Sequence, residues 1–132
     1  MVTERRKKIL IVDDEPSMVS VLKRHVSNAG YDFDSASNGQ EAFEKIQLDQ
    51  PDLVLLDLVM PGMNGFETCR RIRENEKTKK LPVLIVTALR SDSDSSSAAA
   101  CGANEFIVKP VDGAHLAKRL RHHLGSPFKL QR

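Results

Sequence analysis

Four short apolar runs stand out along this chain, and each is followed by a residue that can take part in chemistry. The runs are Ile9–Val12, Leu53–Leu56, Val83–Val86 and Phe106–Val108. Uninterrupted runs of this length, rich in Val, Ile and Leu, are typical of strands buried on both faces of a parallel sheet. A weaker run of mixed character, Asp32–Ala36, predicts a fifth strand, and its polar content favours the edge of the sheet.

The stretches between these runs carry apolar residues three or four positions apart, which is the spacing of one face of a helix. Four such stripes run from Met18 to Ala29, from Ala42 to Ile46, from Phe66 to Ile72 and from Leu116 to Leu124. A fifth helix is predicted between Ser91 and Ala100, where serine competes for backbone hydrogen bonds and no large apolar side chain provides an anchor. This segment is either a marginal surface helix or an element that shifts with the state of the protein. The alternation predicts one doubly wound α/β domain, with five helices covering both faces of a five-stranded parallel sheet.

Composition narrows the class of protein. The chain has 132 residues, of which 40% are apolar and 29% charged, as in a single globular domain, and its net charge of +2 is too small to argue for nucleic acid. No apolar run approaches the roughly 20 residues of a membrane helix, and none follows the basic start as a signal peptide requires. We therefore expect a cytoplasmic protein that does not bind membranes. Cys69 and Cys101 fall in different predicted helices and suggest neither a disulfide framework nor a zinc site.

The ends of the chain differ in character from the part between them. We expect residues 1–6 to form a solvated basic arm, residues 7–124 to form the domain, and residues 125–132 to form a tail or the start of a linker. The break after the last helix is marked by Gly125-Ser126-Pro127. These residue types favour turns and end regular structure.

The residues that follow the strands are expected to meet at one edge of the sheet. Asp13 and Asp14 follow the first strand, Asp57 the third, Thr87 the fourth and Lys109 the fifth. Ligands of open α/β sheets bind at the carboxyl ends of the strands, where the strand order reverses. Taken singly, Asp14 reads as a helix cap, Thr87 as a strand end and Lys109 as an exposed lysine. Their arrival at successive strand ends favours a shared reaction site.

Three converging carboxylates repel one another unless a cation lies among them. Hard carboxylate oxygens favour Mg²⁺, and three carboxylates, Lys109 and one Mg²⁺ sum to zero charge, so a phosphoryl group can approach. Asp57 is solitary at its strand end and is the better nucleophile for forming an aspartyl phosphate, whereas the pair Asp13 and Asp14 suits the metal. Lys109 supplies a point charge and Thr87 a hydroxyl donor.

Four sequence motifs resemble those of the receiver domain of two-component response regulators, of the single-domain chemotaxis-regulator type. They are Ile9–Glu15 (ILIVDDE), Leu55–Glu67 (LLDLVMPGMNGFE), Val86–Ala88 (VTA) and Val108–Pro110 (VKP). The resemblance extends over about residues 7–124. It implies a flavodoxin-like, three-layer fold with strand order 2-1-3-4-5, an order that is known for a chemotaxis receiver.

The resemblance also implies a role for each site residue. Asp57 resembles the phosphoacceptor. The implied magnesium ligands, for which Mn²⁺ can substitute, are Asp14, Asp57 and the backbone carbonyl of Val59, with Asp13 acting through a metal-bound water. Thr87, Ala88 and Lys109 correspond to the phosphate-binding and switch positions, and Phe106 to the aromatic switch residue. The Lys109–Pro110 peptide bond is expected to be cis by the same similarity.

Three features depart from the usual family pattern. The serine-rich segment Ser91–Ser97 stands where an apolar-patterned helix is usual, and Phe106 lacks the hydroxyl of the tyrosine often found there. Val59 and Leu89, each two residues beyond a site residue, are both apolar, and in the family these positions flank the path of the hydrolytic water. Since nothing polar there positions water, we expect the aspartyl phosphate to lose its phosphoryl group slowly.

The expected partners follow from the resemblance. The phosphoryl donor is a phosphohistidine of a sensor kinase or of a histidine phosphotransfer domain. The surface of the fourth helix, fifth strand and fifth helix then controls a downstream protein or output domain, or forms a phosphorylation-dependent homodimer.

Two rival functions are weaker. A magnesium-dependent phosphatase with an aspartate nucleophile needs a second aspartate where Val59 stands. A second rival, a receiver-shaped module without phosphorylation, usually lacks part of the acidic set, which this chain retains. No turnover enzyme is expected.

Overall fold

A computed structural model of the chain describes residues 3–58, 64–88 and 101–131. Within those ranges it contains seven strands and four helices. In chain order they are β1 (Thr3–Arg6), β2 (Lys8–Val12), α1 (Pro16–Asn28), β3 (Asp32–Ala36), α2 (Gly39–Leu48), β4 (Leu53–Leu56), α3 (Gly65–Glu74), β5 (Val83–Thr87), β6 (Glu105–Val108), α4 (Gly113–Leu124) and β7 (Phe128–Gln131). None of the four helices has the length and apolar composition needed to cross a bilayer.

Five strands form a parallel sheet in the order β3-β2-β4-β5-β6. Counted from β2, this is the predicted order 2-1-3-4-5, and the flavodoxin-like fold is confirmed. All five predicted strands are present, and Asp32–Ala36 does lie at an edge. Four of the five predicted helices are observed, while the serine-rich helix Ser91–Ala100 lies outside the described residues.

The alternation of side chains along the strands divides the core into two layers. Ile9 and Ile11 of β2 pack with Leu22, Val26 and other residues of α1 and α4 on one face. Leu10 and Val12 pack on the other face with residues of α2 and α3, among them Ile46 and Ile72. Because β2, β4 and β5 are covered on both faces, they need continuous apolar sequences, which is what made them recognisable.

The two ends of the described chain pair with each other. Strands β1 and β7 form an antiparallel ribbon, with Thr3 opposite Gln131 and Arg6 opposite Phe128. The residues expected to form a basic arm and a tail therefore include two short strands that pair with each other. Asp52 anchors the ribbon, since one of its oxygens accepts from Lys129 Nζ at 2.9 Å and the other accepts from the Lys8 backbone amide at 2.8 Å. Asp52 precedes β4, so the ribbon lies at the amino ends of the strands, away from the predicted site.

Candidate functional site

Backbone hydrogen bonds hold the predicted site residues at one level of the sheet. The Asp13 amide donates to Ala36, the Asp57 amide to Val12, and the Lys109 amide to Thr87, at 3.1, 2.9 and 2.8 Å respectively. Each bond continues the pairing of adjacent strands one residue past the strand end. The side chains at the end of β5 and just after β2, β4 and β6 are consequently brought to the same edge, as the sequence indicated.

The three acidic residues form a compact cluster. One carboxylate oxygen of each of Asp13, Asp14 and Asp57 lies within 4.8 Å of those of the other two. Asp13 and Asp57 are buried, with 2% and 8% of their surface exposed, while Asp14 faces solvent. Asp13 is fixed from two sides, because its Oδ1 accepts from the Glu15 amide at 3.0 Å and its Oδ2 from Lys109 Nζ at 3.0 Å.

Lys109 is a half-buried part of this cluster. Its side chain is 15% exposed, and Nζ lies 3.0 Å from Asp13 Oδ2 and 3.9 Å from Asp57 Oδ2. The ordinary readings of two site residues are thereby excluded. Lys109 is not an exposed lysine. Asp14 is not the N-cap residue of α1, because Glu15 occupies that position, without a capping hydrogen bond from its side chain. The Lys109–Pro110 peptide bond, next to the cluster, is cis.

The donor set fits a hard divalent cation. Three carboxylates and one ammonium leave a formal charge of −2 in a site where two of the acids are nearly inaccessible to water. Such a charge is costly to hold without a counterion. Carboxylate oxygens at this spacing are the ligands that Mg²⁺ prefers. The backbone carbonyl of Val59, the further predicted ligand, lies outside the described residues, as does Leu89.

The residues predicted to form the switch lie on one face of the sheet. Ile85 is paired with Phe106 and Thr87 with Val108, and side chains two residues apart point to the same face of a strand. Thr87 is 1% exposed at the end of β5, and the half-buried Phe106 packs against the core layer that contains Ile85. The Thr87 side chain therefore lies on the same side of the sheet as the core layer in which Phe106 packs. Ala88, which follows Thr87, is exposed.

Glu105, the residue before Phe106, fastens β6 to α4. Its carboxylate accepts from Arg119 Nε at 2.6 Å and is in close contact with His123 Nε2. Burial alone would raise the pKa of Glu105, but the hydrogen bonds from Arg119 and His123 outweigh it and hold the pKa below its usual value. The contacts of Glu105 with Arg119 and His123 thus connect β6, the strand that carries Phe106, to α4.

Gly65 allows α3 to begin in close contact with the backbone of Asp57 and Leu58. A Cβ atom at this position would lie 2.3 Å from the Asp57 carbonyl oxygen and 2.6 Å from Leu58 Cα, so a side chain cannot be accommodated without a shift of the backbone. The Gly65 amide donates to the Leu58 carbonyl at 3.1 Å, and the Asn64 side chain caps the helix by accepting from the Glu67 amide. Sequence reasoning gave Gly65 no role, and the Asn-Gly pair at a helix start was the signal available.

Comparisons with known proteins agree with this geometry. The family described as response regulator receiver domain matches residues 9–121. The transcriptional regulatory protein YvrH of Bacillus subtilis is 41% identical over 122 residues, which are 92% of this chain and 50% of that protein. The chain spans between about a quarter and a half of the length of the curated relatives it matches.

Solved structures give the same relationship. The chemotaxis protein CheY4 of Vibrio cholerae superimposes with a TM-score of 0.85 at 32% identity, and the alignment covers 91% of this chain and 100% of that one. The receiver domain of sensor histidine kinase PA1611 from Pseudomonas aeruginosa gives a TM-score of 0.85 at 26% identity, covering 92% of this chain and 100% of that one. That structure has a magnesium ion coordinated in its active site cleft.

Proposed function

This chain belongs to the response regulator receiver domain family, and from that premise we propose that Asp57 accepts a phosphoryl group from a phosphohistidine in a magnesium-dependent reaction. The observation that carries the proposal is the contact of one ammonium group, that of the half-buried Lys109, with the two buried carboxylates of Asp13 and Asp57. A receiver is a signalling domain, and its output is a change of surface. We expect one phosphoryl group per chain rather than continuous turnover, in the cytoplasmic setting that the sequence predicts.

Asp57 is the group best placed to attack phosphorus. A carboxylate oxygen forms the new bond to phosphorus while the bond from phosphorus to the donor imidazole nitrogen breaks, and the imidazole leaves with a proton. Asp13 is engaged by Lys109 and by the Glu15 amide, and Asp14 faces solvent. Lys109 Nζ, 3.9 Å from the Asp57 carboxylate, is positioned to bind an oxygen of the incoming group.

Asp13, Asp14 and Asp57 would hold the metal, with the Val59 carbonyl as the expected further ligand. Bound Mg²⁺, or Mn²⁺ in its place, supplies positive charge that neutralises the acids and the phosphoryl oxygens. The spacing of the three carboxylates and the magnesium reported in the Pseudomonas receiver support this assignment. Removal of the cation is therefore expected to abolish phosphorylation.

The phosphorylated state is expected to differ from the free state around Thr87 and Phe106. A hydroxyl donated to the phosphoryl group draws Thr87 toward Asp57, and Phe106, on the same face of the sheet, repacks into the space that is released. Glu105 transmits the shift of β6 to α4 through its contacts with Arg119 and His123. The changed surface would bind a downstream protein, an output domain or a second copy of the chain.

Phosphorylation is tested with phosphoramidate, whose P–N bond imitates that of phosphohistidine. Wild-type protein incubated with phosphoramidate and Mg²⁺ should gain the mass of one phosphoryl group, whereas Asp57→Asn and an EDTA-treated sample should not. Asp32→Asn is the matched control, because Asp32 is an exposed aspartate at the other end of the sheet. Uptake of the group by Asp57→Asn, or uptake in EDTA, would refute the proposal.

The switch is tested separately with Thr87→Ala and the control Thr87→Ser, which keeps the hydroxyl. Both variants should be phosphorylated, but only wild type and Thr87→Ser should show altered hydrogen exchange in β6 and α4 when a beryllofluoride analogue is added. If Thr87→Ala loses phosphorylation itself, the role assigned to Thr87 is incorrect.

A further inference from the structure

Cys69 and Cys101 are neighbours in space, although 32 positions separate them in the sequence. The Cys69 thiol, in α3, donates to the backbone carbonyl of Cys101 at 3.4 Å, and the two thiols also form a hydrogen bond with each other. Cys69 is fully buried, while 6% of the surface of Cys101 is exposed. The sequence suggested two unrelated cysteines, and the structure brings them together between α3 and the segment before β6.

Three hydrogen bonds donated by the Arg73 side chain, here called the arginine bracket, hold this arrangement. Arg73, one helical turn beyond Cys69, donates from Nε to the Gly102 carbonyl at 2.8 Å and from Nη1 to the Leu81 carbonyl at 2.6 Å. Its third nitrogen donates to Asn104 Oδ1 at 2.7 Å. The residue that follows Cys101 is thus tied to the residue one turn after Cys69, which fixes the spacing of the thiols.

Glycine at position 102 makes this close approach feasible. Gly102 has φ of +92°, and a Cβ atom there would lie 2.8 Å from the Arg73 Cγ atom. Any other residue would be strained and would push the arginine away from the turn. The bracket and the thiol pair therefore depend on the same local backbone.

The environment distinguishes the two thiols chemically. The hydrogen bond from Cys69 lowers the pKa of the Cys101 thiol, and the Arg73 charge acts in the same direction. The hydrogen bond with Cys101 and burial raise the pKa of Cys69. Both cysteines are buried, but Cys101 keeps 6% of its surface exposed and has the lowered pKa. Because the thiolate is the nucleophile, Cys101 is the member of the pair that reacts first.

We propose that Cys69 and Cys101 are a reversible dithiol–disulfide pair that hydrogen peroxide oxidises. The Cys101 thiolate attacks one peroxide oxygen, the O–O bond breaks, and hydroxide leaves, which gives a sulfenic acid. The Cys69 sulfur then attacks the Cys101 sulfur, its proton and the sulfenic hydroxyl depart as water, and the disulfide forms. Two thiols are oxidised and one peroxide is reduced to water. The disulfide would link α3 to the residue that immediately follows the predicted helix Ser91–Ala100. This assignment is independent of the phosphorylation of Asp57.

The test measures thiol content by mass. Reduced wild-type protein is treated with peroxide at neutral pH, and is then unfolded and treated with N-ethylmaleimide, so that buried thiols that remain reduced are labelled. We expect a loss of about 2 Da, no maleimide adduct, and recovery of two adducts after dithiothreitol. Cys69→Ser should instead accumulate a dimedone-reactive sulfenic acid at Cys101, and Cys101→Ser should leave Cys69 reduced.

The wild-type result is decisive even if a serine variant fails to fold. Two maleimide adducts after peroxide treatment, a sulfinic acid at Cys101 without the mass loss, or a disulfide found only between two chains would each overturn the proposal. Thiols that merely fill core space would give the first of these outcomes. Wild type unfolded in urea serves as the control, because loss of the bracket should slow formation of the intramolecular disulfide.

Discussion

Replacing Asp57 by asparagine is expected to stabilise the fold when divalent cations are absent. Asparagine keeps the shape of the side chain and removes one negative charge from a buried cluster of three. Among the charged groups that the structure describes around Asp57, the substitution removes two repulsions, with Asp13 and Asp14, and one attraction, with Lys109. The balance between these interactions decides the sign of the change in the free energy of unfolding.

The distances permit an estimate of that balance. Carboxylate oxygens that lie within 4.8 Å repel with at least about 3.5 kcal/mol per pair at an effective dielectric constant of about 20. The attraction between Lys109 Nζ and Asp57 Oδ2 at 3.9 Å is about 4 kcal/mol on the same scale. The repulsions exceed the attraction by about 3 kcal/mol, or by about 1 kcal/mol if water screens half of the interaction with the exposed Asp14. We therefore expect Asp57→Asn to raise the free energy of unfolding by about 1–3 kcal/mol when divalent cations are absent.

Urea unfolding in EDTA measures the stability that Asp57→Asn gains without a cation. Urea unfolding in Mg²⁺ measures how much stabilisation by the cation the variant loses. A cation bound only by the folded state stabilises wild type by about 1.4 kcal/mol at ten times its dissociation constant, whereas Asp57→Asn should gain little. Asp32→Asn, at the other end of the sheet, should change stability by less than about 0.5 kcal/mol and keep the full response to Mg²⁺. An Asp57→Asn protein that is less stable than wild type in EDTA, or that gains as much from Mg²⁺, would refute the reasoning.

Two further predictions concern other parts of the molecule. Glu105→Gln should cost about 1 kcal/mol near neutral pH, because it removes the charge that Arg119 and His123 contact. Folding lowers the pKa of Glu105 from 4.5, so its contribution to the free energy of unfolding is present above about pH 4.5 and is lost as the pH falls further. The urea unfolding curves of wild type and Glu105→Gln should therefore converge in acid. A difference in stability that does not depend on pH would contradict this. The double substitution Val59→Asn with Leu89→Glu should accelerate loss of the phosphoryl group, measured as phosphate release, and a rate no faster than that of wild type would count against slow hydrolysis by apolar shielding.

The strands and the acidic site were predictable from local sequence, whereas the order of the strands was implied by the resemblance to receiver domains. A strand covered on both faces, such as Leu53–Leu56, must be apolar throughout. The residue that follows it must lie at the edge where the other parallel strands end, which places Asp57 beside Asp13 and Lys109. No knowledge of distant contacts is needed for either step.

The features that sequence reasoning missed are those set by distant pairing. Thr3–Arg6 and Phe128–Gln131 are short and largely polar, and neither has a pattern that would identify it as a strand without its partner. Arg73 looks like one of several basic residues on α3 until the carbonyl groups it contacts are known. The neighbourhood of Cys69 and Cys101 is likewise a product of the crossover between α3 and β6.

The antiparallel ribbon has a consequence for the order of the polypeptide. Because Thr3 and Gln131 are paired, their Cα atoms are about 5 Å apart, a gap that a few added residues can bridge. A circular permutant that joins these ends and opens the exposed turn between Lys79 and Lys80 would keep every strand pair of the sheet. Such a permutant would have both of its new ends on the turn between α3 and β5. The cluster of Asp13, Asp14 and Asp57 would form from the same strands, although these strands would be synthesised in a different order.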